Sequence, residues 1–164
     1  MEVVGNHLEA EAARREANLN EFDLFGRSAF NRYYYAAFLL AREMMRKFNP
    51  NWRGSHQGLP DNIVTSTAKV LKEAKRRARK VGDKGLEDKC GVGVYHSHEL
   101  AELLRNAYAI RTLADYEPEQ LIQRNDKGGI SLGLIRISSA KHWPSQARRH
   151  IGEIEEAWRA ANGI

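Results

Sequence analysis

The chain has 164 residues, of which 42% are hydrophobic and 29% charged, with 26 basic against 21 acidic side chains and a net charge of +5. That is an ordinary composition for one soluble globular domain, and no apolar run approaches the roughly 20 residues needed to cross a bilayer. One cysteine, Cys90, rules out an internal disulfide and a thiolate metal cluster, and the pI near 9.4 favours polyanionic partners mildly.

The opening segment MEVVGNHLEAEAARRE is acidic and has no apolar core, so it does not read as a secretory signal, and a cytoplasmic location is expected. HLEAEAARREANLNEF (7–22) has the spacing of an amphipathic helix. The next helix is expected over 28–48, capped by Ser28. Phe30, Tyr34, Ala37, Phe38, Ala41 and Met45 recur there at three- and four-residue steps. Those apolar positions cover more than one stripe, which suits the centre of a bundle. NPNWRGSHQGLP (49–60) is a break, and a third helix follows over 61–80 with Asp61 as cap and Val64, Ala68, Leu71, Ala74 and Ala78 inward.

VGDKGLEDKCGVGV (81–94) is rich in breakers and is expected as a loop. A helix over 97–115 should bury Leu100, Leu103, Leu104, Ala107, Ile110 and Ala114. Two β-prone runs, LIQ and ISLGLIRI, flank the turn signal Asp126-Lys127-Gly128-Gly129, so a hairpin is expected near 118–138. A last helix begins near Pro144, with Ala147, Ile151, Ile154, Ala157 and Trp158 as its stripe and Gly163 as its end. The fold class is all-α, a bundle of four to five helices with a hairpin insertion, in a single domain over 1–164.

Several side chains carry possible chemistry. Arg111 and Asp115 stand four apart, within ion-pair reach on a helix, and Tyr116 follows; the group reads either as a brace at a helix end or as a phosphate grip. Lys69, Lys72, Lys75, Arg76, Arg77, Arg79 and Lys80 crowd twelve residues, offset by Glu73 alone. This is either a solvated face or a patch that attracts a nucleic-acid backbone. His98 and Glu102 have i,i+4 spacing, but two side chains are too few for a metal site, so no metal and no cofactor is expected. Tyr34 reads as core, and Tyr33 or Tyr35 as lining a cleft or seam. Trp52, beside Arg53, and Trp143, beside Lys141 and His142, fall at expected loop positions; packing against the bundle is the favoured reading of both, and base stacking the alternative.

FNRYYYAAFLLARE, then SHQGL, then LLRNAYAIRTLADYEP, in that order, resemble the HEPN domain (higher eukaryotes and prokaryotes nucleotide-binding). The likeness is to its small stand-alone prokaryotic group, marked by YYAxF, SHxG and RxxADY. It covers roughly residues 8 to 116 and the final helix; 117–139 reads as an insertion. The resemblance implies an up-and-down helical bundle that pairs as a homodimer. Many members are metal-independent endoribonucleases of toxin–antitoxin, phage-defence and CRISPR-linked systems. Their signature is an Arg, usually followed by a polar residue, with a His four to six residues on, and two protomers line one cleft. The guanidinium would hold the scissile phosphate and the imidazole would move protons to and from the ribose 2′-hydroxyl and the leaving oxygen.

By position the family's arginine falls on Arg111, and the residue five further on is Tyr116 rather than His. A phenol of pKa near 10 is a poor general base at neutral pH. Arg105-Asn106 has the opening dipeptide, but Arg111 stands six residues after Arg105; Arg136 and His142 match by spacing with Ile137 in the polar position. The resemblance therefore implies two readings. In one, Arg111 clamps phosphate of an RNA and His56 or His142 supplies the acid/base group, with Arg136 paired to His142 as the other candidate. In the other, a non-catalytic module binds nucleotide, nucleic acid or a partner protein such as a nucleotidyltransferase. Arg105, Asn106, Asp115, Tyr116, Lys72, Arg76 and Arg79 are the candidate ligand contacts in either case.

Overall fold

The computed structural model describes residues 1–52, 54–124 and 129–163. The chain is an all-α bundle carrying a small three-stranded antiparallel sheet. The elements run α1 (Glu2–Arg14), α2 (Leu19–Phe48), α3 (Leu59–Asn62), a π-helical segment (Ile63–Ala68), α4 (Lys69–Val81), α5 (Lys84–Tyr116), β1 (Gln123–Arg124), β2 (Ile130–Leu132), β3 (Ile135–Arg136), α6 (Ile137–Lys141) and α7 (Trp143–Asn162). They make two compact units. One holds residues 1–38 and 106–145, the other 39–105 and 146–164, so α2, α5 and α7 each contribute to both.

The expected helix over 7–22 is two helices. Asn18 breaks it, its side chain accepting from the Glu21 N–H (3.3 Å) as α2 begins. Ser28 is therefore inside α2 and caps nothing. Asp61 likewise lies inside α3, whose entry turn is held by Ser55 Oγ accepting from the Gly58 N–H (3.1 Å). The expected loop over 81–94 shrinks to two residues. Gly82, at φ 76°, closes α4 with its own N–H and that of Asp83 returning to Arg79 and Ala78. Asp83 Oδ1 then caps α5 by accepting from the Leu86 N–H at 3.0 Å. Gly93 is a packing residue, since a Cβ there would lie 2.4 Å from that of Ala157.

In the first unit Phe22, Ala29, Phe30, Tyr33 and Tyr34 of α2 are buried, as are Ala107 and Ala114 of α5 and Ile122. Tyr33 is core, not seam: its ring packs where a Cβ on Gly5 would lie 2.7 Å away, and its hydroxyl donates to Glu9 Oε2 (2.6 Å). The sheet has the order β1-β2-β3, with Gln123 opposite Ser131 and Leu132 opposite Ile135. The run ISLGLIRI is thus itself a hairpin, turning at Gly133 (φ 55°) and the fully exposed Leu134. Of the expected turn, residues 126–128 lie outside the described residues. Trp143 opens α7 and is only 7% exposed, so it is core rather than a loop platform.

In the second unit Ala41, Met44 and Met45 of α2 are buried, with Leu71, Ala74 and Ala78 of α4, Leu100 and Leu104 of α5, and Ile154 and Ala157 of α7. Leu59 is buried before the π segment, Ile63 at its start, and Thr67 and Ala68 at its end. Val64, Leu103 and Trp158 are half-buried, flanking the stripes they were expected to fill.

Candidate functional site

The buried stripe through Ala107 and Ala114 leaves Arg111 and Asp115 on an adjoining edge of α5, one turn apart. Arg111 Nη2 meets Asp115 Oδ2 at 2.5 Å, and the guanidinium carbon lies 5.3 Å from the centre of the Tyr116 ring. Asn31 of α2 donates from Nδ2 to the second carboxylate oxygen, also at 2.5 Å. Burial pulls the Arg111 pKa down, but Asp115 and Tyr116 more than offset it, and the net direction is up. The Tyr34 hydroxyl is pushed up by burial and then by Tyr108, so it stays protonated. Arg111 Nε and Asn31 Oδ1 are buried without a hydrogen-bond partner among the described residues. One is a donor and the other an acceptor, on the two side chains that share the Asp115 carboxylate. The brace expected from the spacing exists, and it leaves polar capacity unused.

Behind this corner lies an arrangement that motif reading missed. Arg27 pairs with Asp23 (2.6 Å) and donates to the carbonyls of Leu113, Ala114, Glu117, Pro118 and Gln120 at 2.5–3.3 Å. Asp23 Oδ1 accepts from the Ile122 N–H at 2.8 Å. A buried guanidinium thus satisfies the carbonyls left open where α5 ends, and fixes the turn that follows Tyr116. The i,i+4 spacing of Asp23 and Arg27 was the one signal present in the sequence.

In the second unit, α4 buries Leu71, Ala74 and Ala78 and leaves Lys69, Lys72, Arg76, Arg79 and Lys80 exposed. Arg79 pairs with Glu87 at 2.7 Å, and Lys84 with the same carboxylate at 2.9 Å; the two cations, Lys84 first, hold the Glu87 pKa below its usual range. Lys72 Nζ lies 3.3 Å from His98 Nε2. Arg105 is engaged by Asp61 (2.8 Å) and Glu102 (3.5 Å), and Asn106 is exposed beside it on α5.

The candidate histidines are placed separately. His56 is half-buried in the turn before α3, in the second unit. His142 is exposed where α6 ends, and Arg136 ends β3 at the mouth of a cavity of about 150 Å³ that Glu9 and Ser138 also line; both belong to the first unit. Arg111, Asp115 and Tyr116 are the predicted residues brought into mutual contact. Another pair went unpredicted: His96 and His150 face each other across α5 and α7, Nδ1 to Nδ1 at 2.8 Å. Among the described residues no three metal-ligating side chains converge, and none of the described helices is long and apolar enough to cross a membrane. Set beside known protein families, characterised proteins and solved structures, the chain matches none of them.

Proposed function

We propose that the chain is a HEPN-type module that engages RNA through the exposed cations of α4, in the cytoplasm and as a homodimer. The setting would be a prokaryotic defence or toxin–antitoxin system, with a partner protein such as a nucleotidyltransferase. The three motifs quoted above support the family. The observation that carries RNA engagement is the α4 ladder, because Lys72, Arg76 and Arg79 project from one side of a helix whose other side is packed. Such a row tracks a phosphate backbone without reading bases. Fluorescence anisotropy of single-stranded RNA across a salt series tests it. Replacing Lys72, Arg76 and Arg79 together by Ala should flatten the slope of log K against log salt by about 2, at roughly 0.7 per phosphate contact. An unchanged slope defeats the proposal.

The unpartnered Arg111 Nε favours a second reading, a metal-independent ribonuclease in which Arg111 also holds phosphate. Under it, RNA is cut in the presence of EDTA, and cutting is lost in the single variant Arg111→Ala and in one of the single variants His56→Ala and His142→Ala. Intact, folded protein that leaves RNA uncut returns the chain to the binding module.

A further inference from the structure

Arg42 and Arg46 stand four residues apart near the end of α2, one turn from each other and both exposed. After Phe48 the chain turns tightly: the Trp52 N–H donates to Asn49 O and the Asn51 N–H to Asn49 Oδ1, each at 2.9 Å. That turn sets the Trp52 ring edge-on to Trp158 at 5.7 Å, and Trp158 is itself stacked on Phe48 at 4.2 Å. Arg42, Arg46, Pro50, Trp52 and Gly54 line a cavity of about 430 Å³, a size typical of small-molecule sites. At Gly54 a Cβ would lie 2.9 Å from Leu59 Cα, so bare backbone forms that part of the wall.

The lining has a definite chemistry. Two guanidiniums one turn apart suit a phosphate, which accepts several charge-assisted hydrogen bonds at once. An indole set against Trp158, which is itself stacked on Phe48, suits a flat heteroaromatic base. None of the described residues that line the cavity is acidic. A bare phosphate makes no contact with the indole, and an apolar ligand makes no ion pair with either arginine. We infer that this cavity binds a single nucleotide, with its phosphate on Arg42 and Arg46 and its base against Trp52. A free mononucleotide and the 5′-terminal nucleotide of an RNA present the same groups. The site shares no residue with the α4 ladder, and either can fail without the other.

Calorimetric titration of the full chain with 5′-AMP, 5′-UMP, adenosine and inorganic phosphate tests the assignment. The monophosphates saturate, and adenosine and phosphate each bind at least about tenfold more weakly. Arg42→Ala with Arg46→Ala weakens 5′-AMP about tenfold or more and leaves adenosine unchanged. Trp52→Leu weakens 5′-AMP and leaves phosphate unchanged; the arginine variant decides alone if this one unfolds. In protein with Lys72, Arg76 and Arg79 replaced by Ala, a 5′-phosphorylated oligoribonucleotide is compared with its 5′-hydroxyl form. A preference that vanishes with the arginines assigns the site to RNA ends, and equal binding assigns it to free nucleotide. Neither monophosphate saturating, phosphate binding as tightly as 5′-AMP, or affinity untouched by the double substitution overturns the inference.

Discussion

Arg27 shows how much one side chain can organise. It replaces water for five backbone carbonyls at the end of α5 and balances Asp23. Arg27→Met keeps most of the volume and removes every one of those bonds. Leaving a partly buried carboxylate and several carbonyls unsatisfied costs about 3 kcal/mol, measurable as a lowered urea midpoint; a loss under about 1 kcal/mol would show the clamp to be ornamental. His150 makes a separate prediction. It is only 6% exposed, and burial first, then His96 and Arg149, push its pKa below 6.5, with Glu99 pulling the other way. A native pKa below the unfolded one means the unfolded chain takes up the proton first as pH falls. The stability due to this group is complete above pH 6.5 and is lost as pH drops through the native pKa. Melting temperatures across pH 7.5 to 5 should fall more steeply for the wild type than for His150→Gln. Parallel curves would dismiss the idea.

At the scale of elements, the π segment reconciles two apolar faces. Leu59 precedes it and Ile63 opens it, Leu71, Ala74 and Ala78 follow, and Ile63 and Leu71 are eight residues apart. In a regular helix of about 100° per residue those two would point about 80° apart. The π turn takes up one extra residue and brings them back onto one side. Deleting the exposed Thr65 should therefore be tolerated, shifting the urea midpoint by less than about 1 kcal/mol in free-energy terms. Deleting the equally exposed Lys72 from regular helix should unfold the chain, because every later position rotates. Similar behaviour of the two deletions in circular dichroism melts would reject this account. The elements were legible unevenly in the sequence. The stripe of α4 could be read directly, because Leu71, Ala74 and Ala78 follow helical spacing. The start of α5 could not: Gly82-Asp83 is a stop and a start side by side, and Gly91 and Gly93 resemble breakers until a close neighbour such as Ala157 explains why a side chain there would not fit.

At the scale of the molecule, the all-α class and the sheet insertion could be read from periodicity and turn chemistry, since both are local signals. The Arg27 clamp joins residues 86 to 93 positions apart and the facing His96 and His150 are 54 apart, and no local pattern encodes such pairs. Of the candidate site, Arg111 with Asp115 was legible because helical spacing alone makes the pair. Asn31 was not, because its carboxylate partner comes from a distant helix. Two long helices, α2 and α5, supply both compact units, so unfolding should be one transition. Trp143 reports on one unit, and Trp52 and Trp158 on the other. In variants keeping only Trp143 or only Trp158, the rest changed to Phe, tryptophan fluorescence and far-UV circular dichroism should give coincident urea midpoints within each variant; separated midpoints in one variant would mean that the units melt apart.

The same threading bears on how such a chain can be rearranged. It passes from one unit to the other after residues 38, 105 and 145, each time within a helix. Neither unit is a contiguous stretch of gene, so neither can be excised, fused elsewhere or exchanged by a single crossover. Insertions are confined to the ends and to the connections between helices, the tract at 117–136 among them, and whatever new behaviour such a chain acquires has to be grafted there or written onto the helix surfaces already present.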